Sequence, residues 1–395
     1  MLSSSTNLGT VKNCKESSSQ LNMSYIPDDI LLNCLARVSR FYYPTLSLVS
    51  KRFRSLLASP ELYKTRTLLS RTETCLYVYL CHRWFTLCRR PTKSRRFTLS
   101  CFRPSRTLTS DNILVSVPSR NDFPYYCQTL TAVGSSIYMI GGYTAYIHNK
   151  DSPRVFFMDC RSHTWHEAPS MQIVPNNPRA SVIDGKIYVV EGSSRDLFGS
   201  LKYSIAVFDP KTQTWELVES PGAGIRGAYI SNSLVTKENI YFFGDKSLVY
   251  KPSEKIWEAV GLEMHLLHMN LWLDEIPDDG YCEIDNVLYC YRLKKVLEWY
   301  DYEEGAWKVL KGLEKLPKLP TGKNRVSLIQ CGKGKIAVLW DKKHAFSSET
   351  RIWCAEILLE RRSKYEIYGR VEWCDVVLTV PRSRFFRKQL ISATV

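Results

Sequence analysis

VFDPKTQTW, residues 207–215, is spelled again in altered form three more times along the chain. The other copies are FMDCRSHTW at 157–165, VYKPSEKIW at 249–257 and WYDYEEGAW at 299–307. In each, two apolar residues lead into a polar turn that ends in Trp. In the 207–215 copy a strand runs to Phe208, Asp209 can bond backbone just downstream, and Pro210 fixes the turn. Trp215 then opens the next strand of the same sheet. One small sheet cannot bury an indole alone, but a ring wedged between two stacked sheets is covered on both sides.

The tryptophans set the period. Successive steps from Trp165 through Trp215, Trp257 and Trp307 to Trp353 are 50, 42, 50 and 46 residues. A period of this size marks a repeat architecture. Upstream of each turn stands a β-branched and aromatic run: IYMIGG at 137–142, IYVVEG at 187–192, IYFFGD at 240–245, and weaker copies LYCYRL at 288–293 and IAVLWD at 336–341. Such runs are strands, and helical periodicity is absent from them. Each unit therefore reads as an antiparallel sheet of about four strands, repeated radially. Five units fit between about 127 and 380, and a partial one lies at 75–88. Six blades are expected, with the two chain ends meeting in one blade to close the ring.

These marks resemble the kelch repeat: the glycine pair Gly141-Gly142, the aromatic before the turn, and Trp165 or Trp215 after it. The resemblance implies a β-propeller over 75–380. It fades along the chain, to Glu191-Gly192, then Gly244-Asp245, then no pair. Gly141, Gly142, Gly192, Trp165, Trp215, Trp257 and Trp307 are expected to be structural parts of the blades.

Residues 25–70 change period. In YIPDDILLNCLARVSRFYYPTLSLVSKRFRSLLASPELYKTRTLLS, Pro27, Asp28 and Asp29 suit the start of a helix. Ile30, Leu31, Cys34, Leu35 and Val38 form one apolar stripe. A second helix after Pro44 is expected to carry Leu46, Val49, Phe53 and Leu56 on one face, and a third restarts at Ser59-Pro60-Glu61, with Ser59 expected as its cap. Three short helices make a poor core of their own, so part of the apolar surface should be finished by a partner.

The stretch resembles an F-box, through Ile26-Pro27-Asp28-Asp29, Ile30-Leu31 and LSLVSKRFRSLLASPELY at 46–63. The pairing with a kelch region looks like the plant family of F-box/kelch-repeat proteins. That resemblance implies a substrate-recognition subunit of a Skp–cullin–F-box ubiquitin ligase. The F-box would bind a Skp-type adaptor carrying the cullin scaffold, and the propeller would select a protein for ubiquitination. The candidate adaptor contacts are Ile26, Pro27, Ile30, Leu31, Leu35, Leu46, Val49 and Phe53.

The chain has 395 residues, 44% hydrophobic, and a net charge of +15. Residues 1–24 carry no apolar run and are expected to form a disordered tail; with no spanning segment, a cytoplasmic or nuclear, membrane-free protein is expected. The thirteen cysteines read as reduced thiols. No acid lies between Glu73 and Asp111, while Arg83, Arg89, Arg90, Lys93, Arg95, Arg96, Arg103 and Arg106 do. Arg382, Arg384, Arg387 and Lys388 suggest a basic tail over 381–395. With Trp84, Phe85, Phe97 and Phe102 interleaved, the block at 83–106 supports an alternative, a nucleic-acid-binding or scaffold propeller. Against it, Trp84-Phe85 are better explained as a blade strand.

Other patterns carry less. Gly222, Gly224 and Gly227 have dinucleotide-loop spacing but follow Pro221 and lead into a strand-like run. The pairs His163/His166 and His265/His268 have no acid or Cys cluster to complete a metal set. No cofactor, metal or catalytic constellation is expected, and the chain should be a receptor without transfer chemistry.

Overall fold

The computed structural model describes residues 26–89, 111–120, 123, 129–142, 152–172, 178–190, 205–218, 230–244, 247–264, 266–267, 280–292, 296–320, 326–343, 348–381 and 388–395. The N-terminal tail, Gly192, the three glycines at 222–227, His265 and His268 lie outside them, as does the basic block beyond Arg89.

Four short α-helices come first: α1 (Asp28–Ala36), α2 (Tyr43–Leu46), α3 (Lys51–Ala58) and α4 (Pro60–Leu68). Among the described residues, twenty-four strands follow and form six four-stranded antiparallel sheets. The sheets are the blades of a six-bladed β-propeller. Blade 2 holds β4 (Thr129–Val133), β5 (Ser136–Ile140), β6 (Val155–Asp159) and β7 (Thr164–Ala168) in sequence order. Blades 3, 4, 5 and 6 repeat that order through 179–218, 230–259, 281–309 and 326–381.

Blade 1 is assembled from both parts of the chain. β24 (Lys388–Thr394) pairs antiparallel with β1 (Thr74–Leu80), which is followed by β2 (Arg83–Arg89) and β3 (Asn112–Val117). The expected closure of the ring is thus present. The tail expected at 381–395 is corrected over 388–394, which is the first strand of this blade. Lys388, read as a tail cation, is buried and donates from Nζ to Asp341 Oδ1 at 2.9 Å. Asp341 lies in blade 6, so the pair crosses the seam where the ring closes, and Asn112 Nδ2 donates across the same seam to Asp375 at 2.9 Å.

Each blade boundary holds one apolar cluster. Tyr138, Ile140 and Val155 of blade 2 meet Ile187, Val189 and Phe208 of blade 3, with Trp215 packed against them. Val190 and Val207 of blade 3 meet Phe242 and Tyr250 of blade 4, with Trp257 alongside. Burying these faces is the main stabilising term, because a lone blade would leave one face wet.

The turns explain the repeated spelling. In the four copies, the residue two before Trp has positive φ: His163 at 58°, Gln213 at 58°, Lys255 at 57° and Gly305 at 62°. Asp209 Oδ1 accepts the Lys211 N–H at 2.8 Å, and Asp159 and Asp301 do the same for Arg161 and Glu303. The polar residue at the strand end is thus a backbone acceptor that seeds the turn. At the same end of the blades, the links at 184–185, 237–238 and 285–286 place two successive residues at positive φ, the hairpin turn matched to strand twist.

Blade 6 departs from the rest. Its outer strands β22 (Glu349–Ser363) and β23 (Glu366–Pro381) are far longer than their counterparts and reach over blade 5. There Gly369 N–H donates to Lys311 O at 2.8 Å. The Tyr368 ring lies where a Cβ on Gly312 would sit, 2.3 Å from it, and Gly312 has φ +83°, so this clasp requires glycine.

Candidate adaptor-binding surface and the junction behind it

Local sequence sets each helix end. Pro27 stands at the cap of α1 rather than inside it, and Asp28 and Asp29 occupy the first turn, where the helix dipole favours negative charge. Arg52 donates from Nε to Asp28 Oδ1 at 2.8 Å and ties α3 to the start of α1. The second expected helix is two. Ser50 accepts the Phe53 N–H on its side chain at 3.1 Å and starts α3, so Leu46 and Val49 precede that helix and do not share a face with Phe53 and Leu56. Ser59 caps α4 as expected, accepting the Leu62 N–H at 3.4 Å.

The eight candidate contacts separate by exposure. Leu31, Leu35 and Phe53 are buried inside the module and offer no surface to an adaptor. Ile26 and Leu46 are half-buried against the same core. Pro27 is exposed, and so are Ile30 at 51% and Val49 at 58%. Leu48, passed over in the sequence, joins them at 53%. Its signal was present, since an apolar residue beside Val49 in a link cannot be covered by either flanking helix.

The rest of the apolar surplus goes elsewhere than expected. Leu31, Leu35, Tyr43, Phe53, Leu56, Leu57, Leu62 and Tyr63 share one cluster with Tyr77, Tyr79 and Trp84 of blade 1 and Met139, Phe156 and Met158 of blade 2. The propeller itself finishes most of the helical core.

Charged groups fix this junction. Arg66 is 1% exposed; its Nη1 donates to the Ala36 and Val38 carbonyls at 3.2 and 2.8 Å and to Tyr43 Oη at 3.0 Å. It thereby satisfies carbonyls at the end of α1. Its Nη2 lies 3.0 Å from Glu73 Oε1. Glu73 Oε2 also accepts the Ser39 hydroxyl at 3.0 Å and the Arg40 N–H at 2.9 Å. Arg40 Nη2 reaches the Cys160 carbonyl of blade 2 at 2.7 Å, and Tyr63 Oη donates to Arg161 O at 2.8 Å. Tyr77 Oη lies 3.0 Å from His163 Nε2. Burial, with Arg40 adding to it, pushes the His163 imidazole down to about 4.

The tryptophans stand at the blade boundaries. Trp165 Nε1 donates to Pro118 O at 2.9 Å and Trp215 Nε1 to Pro169 O at 2.7 Å, each acceptor lying just past the outer strand of the preceding blade. Trp257 packs on Tyr250 at 5.0 Å between ring centroids, and Trp307 on Tyr300 at 5.2 Å. Gly141 and Gly142 are buried with φ of 66° and 95°, and a Cβ on Gly141 would lie 2.9 Å from Pro178. Trp84 and Phe85 of the basic block are buried in β2. Gly332 and Gly334 lie in the turn between the strands Val326–Gln330 and Lys335–Lys343.

Among the described residues no group of three or more His, Cys, Asp or Glu side chains comes together as a metal set, and no helix is long and apolar enough to cross a membrane.

Comparison with known proteins agrees with both halves. The F-box domain model matches residues 23–65, and the FKB95 kelch-repeats domain model matches 84–378. A putative F-box/kelch-repeat protein of Arabidopsis thaliana is 54% identical over 93% of this chain and 96% of its own. A second is 50% identical over 92% and 96%. An F-box/kelch-repeat protein of the same plant is 44% identical over 91% of each chain. The solved structure of YjhT covers 73% of this chain and 91% of its own, at 12% identity and a TM-score of 0.42, too low to carry an argument. On the helical module, the six kelch blades and these relatives together, the chain belongs to the F-box/kelch-repeat protein family.

Proposed function

We infer that the chain is the substrate-recognition subunit of a Skp–cullin–F-box ubiquitin ligase. The observation that carries this reading is the exposure of Ile30, Leu48 and Val49 near the start of α1 and before α3, on an F-box most of whose other large apolar residues are buried or half-buried. Three apolar side chains more than half in water, on a module held to a propeller, form the surface that a Skp-type adaptor would cover, with Pro27 beside them. The cullin then arrives through the adaptor. The propeller offers a protein substrate the face opposite the F-box. Within blades 2 and 3 the links on the F-box side are short, as at 134–135, 160–163 and 184–185, whereas the strand ends that bound the long connections, at 140 and 155 and at 190 and 205, lie on the other side. Long connections on a rigid scaffold are where recognition is built.

Transfer chemistry is assigned to the assembled ligase and not to this chain. A ubiquitin-carrying cysteine needs a thiolate. Burial here acts the other way, pushing Cys88 and Cys160 up to about 12 and Cys374 to about 11. This subunit contributes proximity.

Deleting the F-box is a poor test, since it would strip the apolar junction off blades 1 and 2. The better test is affinity purification from plant cells of the full chain against a chain carrying Ile30→Asp and Val49→Asp. Adaptor and cullin should be lost from the variant while the substrate is retained and its half-life lengthens. Retention of adaptor and cullin by the folded variant contradicts the reading.

A further inference from the structure

Between the F-box and blades 1 and 2 lies a cavity of about 260 Å³. Its walls are mixed. Phe41, Leu57, Leu87 and Val117 supply apolar surface, and Arg40 and Arg54 supply guanidinium groups. The volume is just below the usual range for small-molecule sites and suits a ligand of roughly ten to fifteen heavy atoms.

The charge in this cavity is unbalanced. Arg40 gives Nη2 to the Cys160 carbonyl and Nη1 to Cys75 Sγ at 3.6 Å, both neutral acceptors. Arg54 gives Nε to the Ser47 carbonyl at 3.4 Å. Among the described residues neither guanidinium forms an ion pair with a carboxylate. The acid in the lining, Glu73, already serves Arg66, Ser39 and the Arg40 backbone N–H. The third cation there, Arg161, is matched by Asp159 at 2.8 Å. Arg40, set against the apolar wall without a matched carboxylate, favours an anion, because desolvated charge is stable only when countered, and Arg54 stands at the exposed side of the same cavity as a second cation.

We propose that this junction cavity binds a small organic acid, with its carboxylate on Arg40 and Arg54 and a flat apolar body against Phe41, Leu57, Leu87 and Val117. Because the walls come from the F-box and the propeller, the bound acid would reinforce the junction between them. The inference does not depend on adaptor binding.

The test uses the full-length chain with benzoate, 4-phenylbutyrate and 1-naphthoate as probes, and neutral 1-naphthamide as the control. Calorimetric titration should give at least one acid a Kd below about 1 mM, with a saturable rise in Tm. The amide should bind at least about tenfold more weakly than 1-naphthoate. Arg54 is exposed, so Arg54→Gln should fold normally; it should weaken the acid at least about threefold and leave the amide unchanged. The proposal is overturned if no acid binds below about 1 mM, if amide and acid bind alike, or if Arg54→Gln leaves the acid's affinity unchanged. Tighter binding of acetyl-Asp-Phe-amide than of any acid would assign the cavity to a partner peptide and also overturn it.

Discussion

In the propeller the tryptophans that end each turn find cover in the neighbouring blade: Trp215 packs with Phe208 at 4.9 Å and bonds Pro169 of the blade before it. In the F-box, Ile30, Leu48 and Val49 stay more than half exposed although a buried core lies one turn away. Both regions are short amphipathic elements with more apolar surface than one element can cover. The propeller meets that excess with copies of itself, six times round to closure. The F-box meets half of it by leaning on blades 1 and 2 and leaves the remainder in water. The difference separates apolar residues that build the chain from those that, under the proposed function, address a partner, and that reading assigns opposite outcomes to mutating them.

The largest expected effect is on the closed side. Trp215→Ala empties a blade boundary and should cost about 3–5 kcal/mol in urea unfolding, with adaptor affinity unchanged. Loss of a binding partner at full stability would move Trp215 to the other class and break the comparison.

The seam of the ring should respond nearly as strongly. Lys388→Met leaves Asp341 buried without its cation and should cost about 3 kcal/mol, while adding Asp341→Leu should restore most of it. If the single and double variants unfold alike, the pair does not hold the ring closed.

Acid sharpens the account of the junction. His163 titrates near 4 when folded against an ordinary 6.5. The unfolded chain therefore binds the extra proton between those values, and stability falls as pH drops from about 6.5 to 4. The loss attributable to His163 should be roughly 2–3 kcal/mol. His163→Asn keeps a side chain suited to positive φ and should remove that part of the pH dependence. An unchanged pH profile in the variant would place the acid sensitivity elsewhere.

The smallest effect is in the turns. Asp209→Ala removes one acceptor from a solvent-facing turn and should cost about 1 kcal/mol, read as a shift in the urea midpoint.

What was legible in the sequence was local. The Trp period, the Asp before three of the four quoted turns and the runs before them specify hairpins, and the hairpin count leads to six blades. Ser59 before Pro60 marks a helix start. What was hidden depends on contacts far along the chain. Lys388 looks like part of a basic tail because its partner, Asp341, is 47 residues away. Arg40 and Arg66 carry no signal in the sequence; their roles come from Glu73, Cys160 and the C-terminal end of α1, which gather round them only in the fold. The division of the F-box apolar residues was half visible. Helical spacing finds the stripe holding Leu31 and Leu35, but only the propeller packed behind it shows which members remain exposed. Ser50 was a local signal missed: a cap between two apolar runs that separates Leu46 and Val49 from Phe53.

The most direct test measures Val49→Asp by adaptor affinity and by urea unfolding on the same preparation. A charge placed where the adaptor sits should weaken binding by about 100-fold or more, while an already exposed position should change stability by no more than about 0.5 kcal/mol. Full adaptor affinity in the variant, or a loss of affinity matched by a loss of stability, would contradict the claim that the F-box leaves this surface open for a partner.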